Sequence, residues 1–261
     1  MTNTAPVYEA FALRYATTDR LASQTFLTWK GPDRPIRLDF FFWALRTGER
    51  TIVIDTGFSP FSSEKRRRPY LHRPADLLRR IGIAPEQVGD VILTHLHYDH
   101  VGNLADFPAA TFHVQAREVA AAIGPDMAHP LLRAHYEARD LATLVHLIHE
   151  GRVRFHDSTS EVAPGVRVHL VPGHTSGLQA VEVATITGPL VIASDAVHYY
   201  ANLEQDNPFP ALVDVAGELN AFRRLSALAG SLARLVPGHD PQVLARFAPH
   251  PDGGSDVVCL A

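Results

Sequence analysis

The hydrophobic positions of this chain fall into short apolar runs that are separated by polar turns. The stretch RLDFFFWALRTGERTIVIDTGFS, residues 37–59, holds two such runs on either side of a turn at Thr47–Gly48. Aromatic and β-branched residues favour strands, so this stretch predicts two strands, Asp39–Leu45 and Thr51–Asp55. Further strands are predicted at residues 90–95, 110–115, 152–156, 166–173, 178–185 and 189–195, with a last short strand and its loop at 233–240.

Four other segments place their apolar residues at helical intervals, and a polar, basic loop rich in proline is predicted at 58–74. The predicted helices are 74–83, 116–124, 129–150 and 216–230, and the helical region 129–150 is long enough for one break. Strands and helices continue through the chain without an internal repeat or a linker. This pattern predicts one α/β domain over residues 1–261, with sheet inside and helices outside.

The composition argues against several classes of protein. Of the 261 residues, 46% are hydrophobic and 20% charged, and the net charge of −4 argues against a nucleic-acid partner. Cys259 is the one cysteine, so neither a disulfide within the chain nor a thiolate metal cluster can form. The first residues lack the pattern of a secretory signal, and no apolar run reaches the length of a membrane span. We therefore expect a cytoplasmic protein without a membrane partner.

Four side chains that can bind metal crowd into the stretch THLHYDH, which follows the strand predicted at 90–95. His95 and His97 point to the same side of an extended backbone. The chain then turns, so that Asp99 and His100 can face a second point nearby. One loop can thus supply two pairs of ligands to two adjacent metal ions. A histidine-rich turn without metal is the alternative, because short motif matches also arise by chance.

Three later strand ends repeat this arrangement. His174 stands in the turn VPGHTSG, Asp195 ends the apolar run VIASD, and His239 follows a Pro-Gly pair in RLVPGHD. In each case an apolar strand ends in a sharp turn that carries a side chain able to bind metal. Ligand sites of layered α/β proteins cluster at such strand ends, so these three residues favour a metal site over a chance cluster.

THLHYDH, GHT, SD and PGHD, in this order, resemble the metallo-β-lactamase superfamily, over a region from about Asp39 to His239. The resemblance implies an αββα sandwich, in which two mixed β-sheets are flanked by helices and a dinuclear metal site lies between the edges of the sheets. Within the superfamily, the chain is most similar to the N-acyl-homoserine lactonase branch. The stretches that carry this similarity are FFFWALRTGERTIVIDTGF, THLHYDHVGN, VPGHTSGLQ and SDAVHYYAN.

The resemblance implies a set of nitrogen and oxygen ligands without sulfur. Such donors suit two divalent metal ions, Zn²⁺ in the first place, with Fe, Mn or Co as alternatives. The implied ligands are His95, His97 and His174 for the first metal, Asp99, His100 and His239 for the second, and Asp195 as the bridge between them.

The resemblance further implies a metal-dependent hydrolase that acts on ester bonds. It would open the ring of a small lactone, foremost an N-acyl-homoserine lactone, and so quench quorum sensing. A hydroxide that bridges the metals would attack the carbonyl carbon, and Asp99 would pass a proton to the leaving alkoxide. His198, Tyr199 or Tyr200 would stabilise the oxyanion, because the lactonases usually carry a tyrosine where this chain has His198. The partner would be this small molecule, and the family also favours a homodimer.

Other functions remain open at this point. One is a different hydrolase of the same superfamily, such as a glyoxalase II-like thioesterase or a phosphodiesterase. Another is a binding protein that has kept the fold and lost catalysis.

Two further features have alternative interpretations. Asp55, at the end of a predicted strand, is expected either to orient a ligand histidine or to cap the turn at Gly57. The basic loop EKRRRPYLH, residues 64–72, is either a solvated loop or a contact for an anionic substrate at the entrance of the site. The helical region 129–150 has three possible roles: it packs on the domain, it covers the pocket, or it forms a dimer contact.

Overall fold

Two mixed β-sheets form the centre of the protein, in a computed structural model that describes residues 6–48 and 50–261. One sheet has eight strands in the order β12-β13-β1-β2-β3-β4-β5-β6, and the other has five in the order β11-β10-β9-β8-β7. The strands are β1 (Glu9–Leu21), β2 (Pro35–Arg46), β3 (Thr51–Ile54), β4 (Asp90–Ile92), β5 (Thr111–Gln115), β6 (Val153–His156), β7 (Ser160–Ala163), β8 (Val166–Leu170), β9 (Gln179–Thr185), β10 (Gly188–Ser194), β11 (Leu235–Pro237), β12 (Ala248–Pro249) and β13 (Val257–Cys259).

Helices cover the outer faces of both sheets. They are α1 (Pro60–Arg66), α2 (Pro74–Arg80), α3 (Ala116–Ala122), α4 (Ala138–His149), α5 (Tyr200–Glu204), α6 (Val215–Ala229) and α7 (Gln242–Arg246). Within the described part of the chain, none of the helices is long and apolar enough to cross a membrane.

Strand β2 contributes side chains to the hydrophobic core on both faces of the larger sheet. Phe40 and Phe42 pack on one face of the larger sheet, together with Leu77 of α2 and Leu144 of α4. Trp43 packs on the opposite face, against the side chains of the smaller sheet. A strand that is buried on both faces reads as a continuous apolar run, which is the pattern FFFWAL. The order of layers is therefore helices, sheet, sheet and helix, the αββα sandwich that the resemblance implies.

Two features of the local structure differ from the predictions. A strand over Glu9–Leu21 was not predicted, because its alanines are poor strand formers and its pairing with β2 and β13 makes the strand. The predicted loop 58–74 contains α1, whose first turn is capped by Ser59. The helical region 129–150 has the one break that its length allowed, between a short 3₁₀ helix at Leu132–His135 and the α-helix Ala138–His149.

Candidate metal centre

The candidate ligands meet because the strands that carry them run parallel. β3 pairs with β4 in parallel, so Asp55 and the motif that begins at His95 leave the larger sheet at the same edge. β10 pairs with β11 in parallel in the smaller sheet, so Asp195 and His239 emerge side by side. The chain after β8 brings His174 to the same place. The strand ends of both sheets thus converge on one buried cluster.

All seven predicted ligands belong to this cluster, and His198 joins it. Four groups of three side chains each have ligand atoms within 4.8 Å of one another. The groups are His95, His97 and His174; His95, His100 and Asp195; Asp99, His100 and His239; and His174, Asp195 and His198. Which ion each residue holds stays a prediction.

Asp195 lies at the centre of the cluster, with each carboxylate oxygen close to two imidazoles. Its Oδ1 is 3.3 Å from Nε2 of His100 and 3.1 Å from Nε2 of His239. Its Oδ2 is 3.4 Å from Nε2 of His174 and 3.1 Å from Nε2 of His198. A carboxylate in this position can bridge two ions, as the resemblance implies.

Hydrogen bonds orient three of the histidines so that Nε2 faces the cluster. Nδ1 of His100 donates to Asp55 Oδ2 at 2.8 Å, and Nδ1 of His239 donates to the carbonyl oxygen of Asp39 at 2.7 Å. The Thr94 hydroxyl donates to Asp55 at 2.7 Å, so it accepts from Nδ1 of its neighbour His95 at 3.1 Å. Partners of this kind select the tautomer that leaves Nε2 free for a metal. Asp55 therefore contacts a ligand histidine, the first of its two predicted roles.

The electrostatics of the cluster favour a bound cation. Burial disfavours a charge on His100, but the carboxylates of Asp195 and Asp55 outweigh it and raise the pKa of His100 well above its ordinary value. Burial would raise the pKa of Asp195, but the surrounding imidazoles hold it well below the usual range. Burial lowers the pKa of His95 and His174 well below that of free imidazole. Neutral His95 and His174 and an ionised Asp195 are forms that bind metal, whereas His100 must release its proton when it binds a metal ion.

Unpaired nitrogens test whether these residues fit a metal. Nε2 of His95 and of His100 point into the cluster and are buried without a hydrogen-bond partner. An unpaired buried polar atom costs about 1–3 kcal/mol, so these two indicate that the cluster is built to bind something. The nitrogen and oxygen donors suit divalent metal ions, and the side chains therefore fit the implied metals.

The backbone is strained at two strand ends beside the cluster. Asp55 has φ of 63° and Ser194 has φ of 48°, in the left-handed region that side chains other than glycine rarely adopt. Each such residue costs of order 1–3 kcal/mol unless its surroundings hold it, and strain of this kind collects at functional sites. The strain turns the chain sharply at the end of β3 and of β10.

Glu118 of α3 connects two of the ligand loops, and the sequence predictions missed it. Its Oε1 accepts from the Leu96 amide at 3.0 Å, and its Oε2 accepts from the Thr175 hydroxyl at 2.7 Å and the Gly177 amide at 2.9 Å. Burial raises the pKa of Glu118, and the hydrogen bonds oppose that shift. Leu96 separates the first two histidines of the motif, and Thr175 directly follows His174. A carboxylate on the buried face of a predicted helix was the signal that could have identified it.

Asp99 is the candidate ligand that is most open to a small molecule. Its side chain is 12% exposed, and its Oδ1 lies 4.0 Å from Nε2 of His100. Its backbone carbonyl accepts a hydrogen bond from Tyr15 Oη at 2.7 Å, which holds the turn in place. A free carboxylate oxygen here could exchange a proton with a bound molecule.

Of the three residues predicted to contact the substrate, only His198 lies in the cluster. The Tyr199 hydroxyl donates to the carbonyl oxygen of Arg37 at 3.2 Å, and the Tyr200 hydroxyl donates to that of Leu235 at 3.1 Å. Consecutive residues at the start of α5 point in different directions, so neither hydroxyl is brought to the ligands.

His198 is held by a carboxylate and by an aromatic ring. Its Nε2 lies 3.1 Å from Asp195 Oδ2, and its ring stacks on Phe209 with 3.9 Å between ring centroids. Its Nδ1 is buried without a partner. The ring also lines a small cavity, so it lies beside the space that a bound molecule could enter.

Two cavities meet at the cluster. The larger has a volume of about 440 Å³, touches His97 and His174, and is lined by apolar side chains that include Met127, Leu131 and Leu212. The smaller, of about 30 Å³, is lined by Asp99, Asp195, His198 and several aromatic and arginine side chains. A molecule with an apolar part can therefore lie beside the metal ligands.

This fold and this cluster belong to a known family. The family model of the metallo-β-lactamase superfamily matches residues 41–239, and the chain belongs to that superfamily. The predicted family and αββα fold are thereby confirmed.

Several similar proteins are N-acyl homoserine lactonases. An N-acyl homoserine lactonase from Bacillus sp. is 28% identical over 225 residues, which cover 80% of this chain and 84% of the relative. The N-acyl homoserine lactonase AiiA from Bacillus thuringiensis subsp. kurstaki is 27% identical over the same length, with the same coverage of both chains. A crystal structure of a quorum-quenching N-acyl homoserine lactone lactonase superposes with a TM-score of 0.76 at 25% identity, covering 93% of this chain and 95% of that one.

Proposed function

We propose that the protein is a metal-dependent hydrolase that opens the ring of a lactone, with an N-acyl-homoserine lactone as the first candidate substrate. The observation that carries this proposal is the convergence of six histidines and two carboxylates on one buried cluster, in a chain that is similar to several N-acyl homoserine lactonases. Opening an acyl-homoserine lactone would make the protein a quorum-quenching enzyme. The partner would be a small molecule, and nucleic acid and membranes would not be partners. The homodimer and the cytoplasmic location stay predictions.

The cluster would hold two divalent metal ions, with Zn²⁺ as the first candidate. Its ligands would be the residues of the sequence prediction, with Asp195 shared between the ions. When bound, such ions lower the pKa of coordinated water to about 7 and polarise a carbonyl oxygen.

The protein's own residues would position the lactone and move the proton. His198, whose ring Asp195 and Phe209 hold in place, would stabilise the negative charge that develops on the carbonyl oxygen of the substrate. Asp99, at the wall of the smaller cavity, would accept the proton that the attacking water gives up and pass it to the alkoxide that leaves as the ring opens. The larger apolar cavity would bind the acyl group and exclude water from it.

A substrate panel with metal analysis tests this proposal. The panel contains acyl-homoserine lactones of several chain lengths, simple γ- and δ-lactones, a thioester and a phosphodiester. We expect bound divalent metal, turnover of lactones, and loss of activity after chelation that added metal restores. Metal-free protein without hydrolysis would refute the proposal, and turnover of the thioester or the phosphodiester alone would replace it with another hydrolase activity.

Variants of the cluster test its role. We expect Asp195→Ala and His100→Ala to lower kcat by roughly 100-fold or more and to lose metal, because each removes a ligand. His129→Ala is the matched control, since His129 is an exposed histidine outside the cluster. Wild-type activity and metal content in either cluster variant would contradict the ligand assignment.

A further inference from the structure

Two arginines from distant parts of the chain line the smaller cavity beside the candidate ligands. Arg20 lies near the end of β1, and Arg68 lies in the segment that follows α1. Both side chains belong to the wall that also contains Asp99 and His198. Arg68 comes from the basic segment 64–72, one of whose predicted roles is contact with an anionic substrate.

Neither arginine is neutralised by the protein. Within residues 6–48 and 50–261, no carboxylate lies within 4 Å of the guanidinium group of Arg20 or Arg68, whereas Arg14 is held by Asp39 at 3.0 Å and by Asp256 at 2.5 Å. Nε of Arg20 is buried and has no hydrogen-bond partner. Asp99 in the same wall attracts Arg20 only from beyond ion-pair distance, so a bound anion in direct contact would relieve the cost of the half-buried guanidinium.

Aromatic contacts hold the two guanidinium groups in place. The Arg20 group lies 5.9 Å from the centre of the Phe209 ring, and the Arg68 group lies 5.2 Å from that of Phe40. Nη1 of Arg68 also donates to the neutral hydroxyl of Tyr98 at 2.6 Å. Burial lowers the pKa of Arg20, and the positive charge of Arg68 lowers it further, which indicates that the two charges repel each other. The aromatic contacts orient these charges and leave their hydrogen-bonding capacity largely unused.

We propose that Arg20 and Arg68 bind a carboxylate group carried by the substrate, so that the preferred lactone is an anionic one. Arginine binds carboxylates through two parallel hydrogen bonds, and the smaller cavity has room for only a small group. The anion would lie on the Asp99 side of the metal ligands, and the remainder of the substrate would reach into the larger cavity. This inference rests on the proposed lactonase function and names the class of substrate for that site.

A matched pair of lactones tests the proposal. The acid is 5-oxotetrahydrofuran-2-carboxylate, and the neutral partner is its methyl ester. We expect the wild-type protein to hydrolyse the acid with a kcat/KM at least about tenfold higher than that for the ester, mainly through a lower KM, since charge-assisted hydrogen bonds to the acid are lost in the ester. Equal values, or a preference for the ester, would overturn the proposal.

Variants assign the preference to the two arginines. Arg20→Gln and Arg68→Gln should each lower kcat/KM for the acid by about 10- to 100-fold and change the value for the ester less than about threefold. Arg154→Gln is the matched control, because Arg154 is an exposed arginine of β6. An equal loss for acid and ester would mean that the arginines act on the fold and not on the anion.

A binding measurement separates this inference from the proposed function. Calorimetry on the metal-containing protein compares 2-hydroxyglutarate, the ring-opened acid, with 4-hydroxybutyrate, which lacks the second carboxylate. We expect at least about tenfold tighter binding of 2-hydroxyglutarate, with the difference lost in Arg20→Gln. If no lactone is hydrolysed but this difference is found, the lactonase proposal fails and the anion site stands. If lactones are hydrolysed but the two compounds bind equally, the anion site fails and the lactonase proposal stands.

Discussion

Replacing Glu118 by glutamine should weaken metal binding although this side chain is not itself a candidate ligand. The carboxylate accepts three hydrogen bonds from the two loops that carry His174 and the THLHYDH motif. A glutamine has the same shape but only one accepting oxygen. If this oxygen still accepts from the Leu96 N–H, the side-chain NH₂ of glutamine faces the Gly177 N–H. Two hydrogen-bond donors then point at each other.

The magnitude follows from these contacts. One buried N–H left without an acceptor costs about 1–3 kcal/mol, and the lost charge on the remaining hydrogen bonds adds about 1 kcal/mol. The sum of ~2–4 kcal/mol corresponds to a decrease in metal affinity of roughly 30- to 1,000-fold, if all of it falls on the geometry of the ligand loops. Removing a buried charge offsets part of the loss in stability, so we expect metal affinity to change more than the free energy of unfolding of the metal-free protein.

Competition with a chromophoric chelator measures this affinity, and urea unfolding of the metal-free protein measures stability. Glu161→Gln is the matched control, because Glu161 of β7 is an exposed glutamate. Metal affinity within about twofold of wild type in Glu118→Gln would refute the reasoning, since the two loops would then hold their geometry without the carboxylate.

Three further changes test other parts of the structure. Asp55→Asn should lower metal affinity by about 10- to 100-fold in the same chelator assay, because asparagine is uncharged and has one accepting oxygen for the donors of both Thr94 and His100, and unchanged affinity would contradict this role. Burial raises the pKa of Asp140 from its ordinary 3.8 to about 7, so the folded protein retains a proton there that the unfolded chain releases, and stability from this group falls as pH rises through that interval. Asp140→Asn should remove this loss. The free energy of unfolding of the variant, measured with urea, should therefore rise relative to that of wild type by about 2 kcal/mol between about pH 4 and about pH 8; a difference between the two proteins that does not change with pH would argue against the raised pKa. Gly102→Ala should destabilise the protein by about 2 kcal/mol or more, because the new Cβ would meet a backbone nitrogen at 2.0 Å, whereas Gly89→Ala, with no atom within 4 Å, should change thermal stability little.

The pattern of strands and turns was sufficient to predict the fold class. The apolar runs at 90–95 and 189–195 are buried strands, and the run FFFWAL is a strand with both faces covered. The sequence did not predict the strand Glu9–Leu21, whose alanines carry little strand preference. It pairs with β2, the next strand along the chain, and with β13 near the other end, and this second pairing is not encoded locally.

The sequence by itself determined which side chains can bind metal. His95, His174 and Asp195 stand directly after buried strands, so their placement depends on local chain direction, which residue type and spacing specify. The tertiary structure alone decided that Glu118 joins two ligand loops and that Arg20 and Arg68 face the same cavity. It also decided that His198, and neither neighbouring tyrosine, lies beside the ligands. These features depend on packing between segments far apart in sequence, where no local pattern states which side chains will meet.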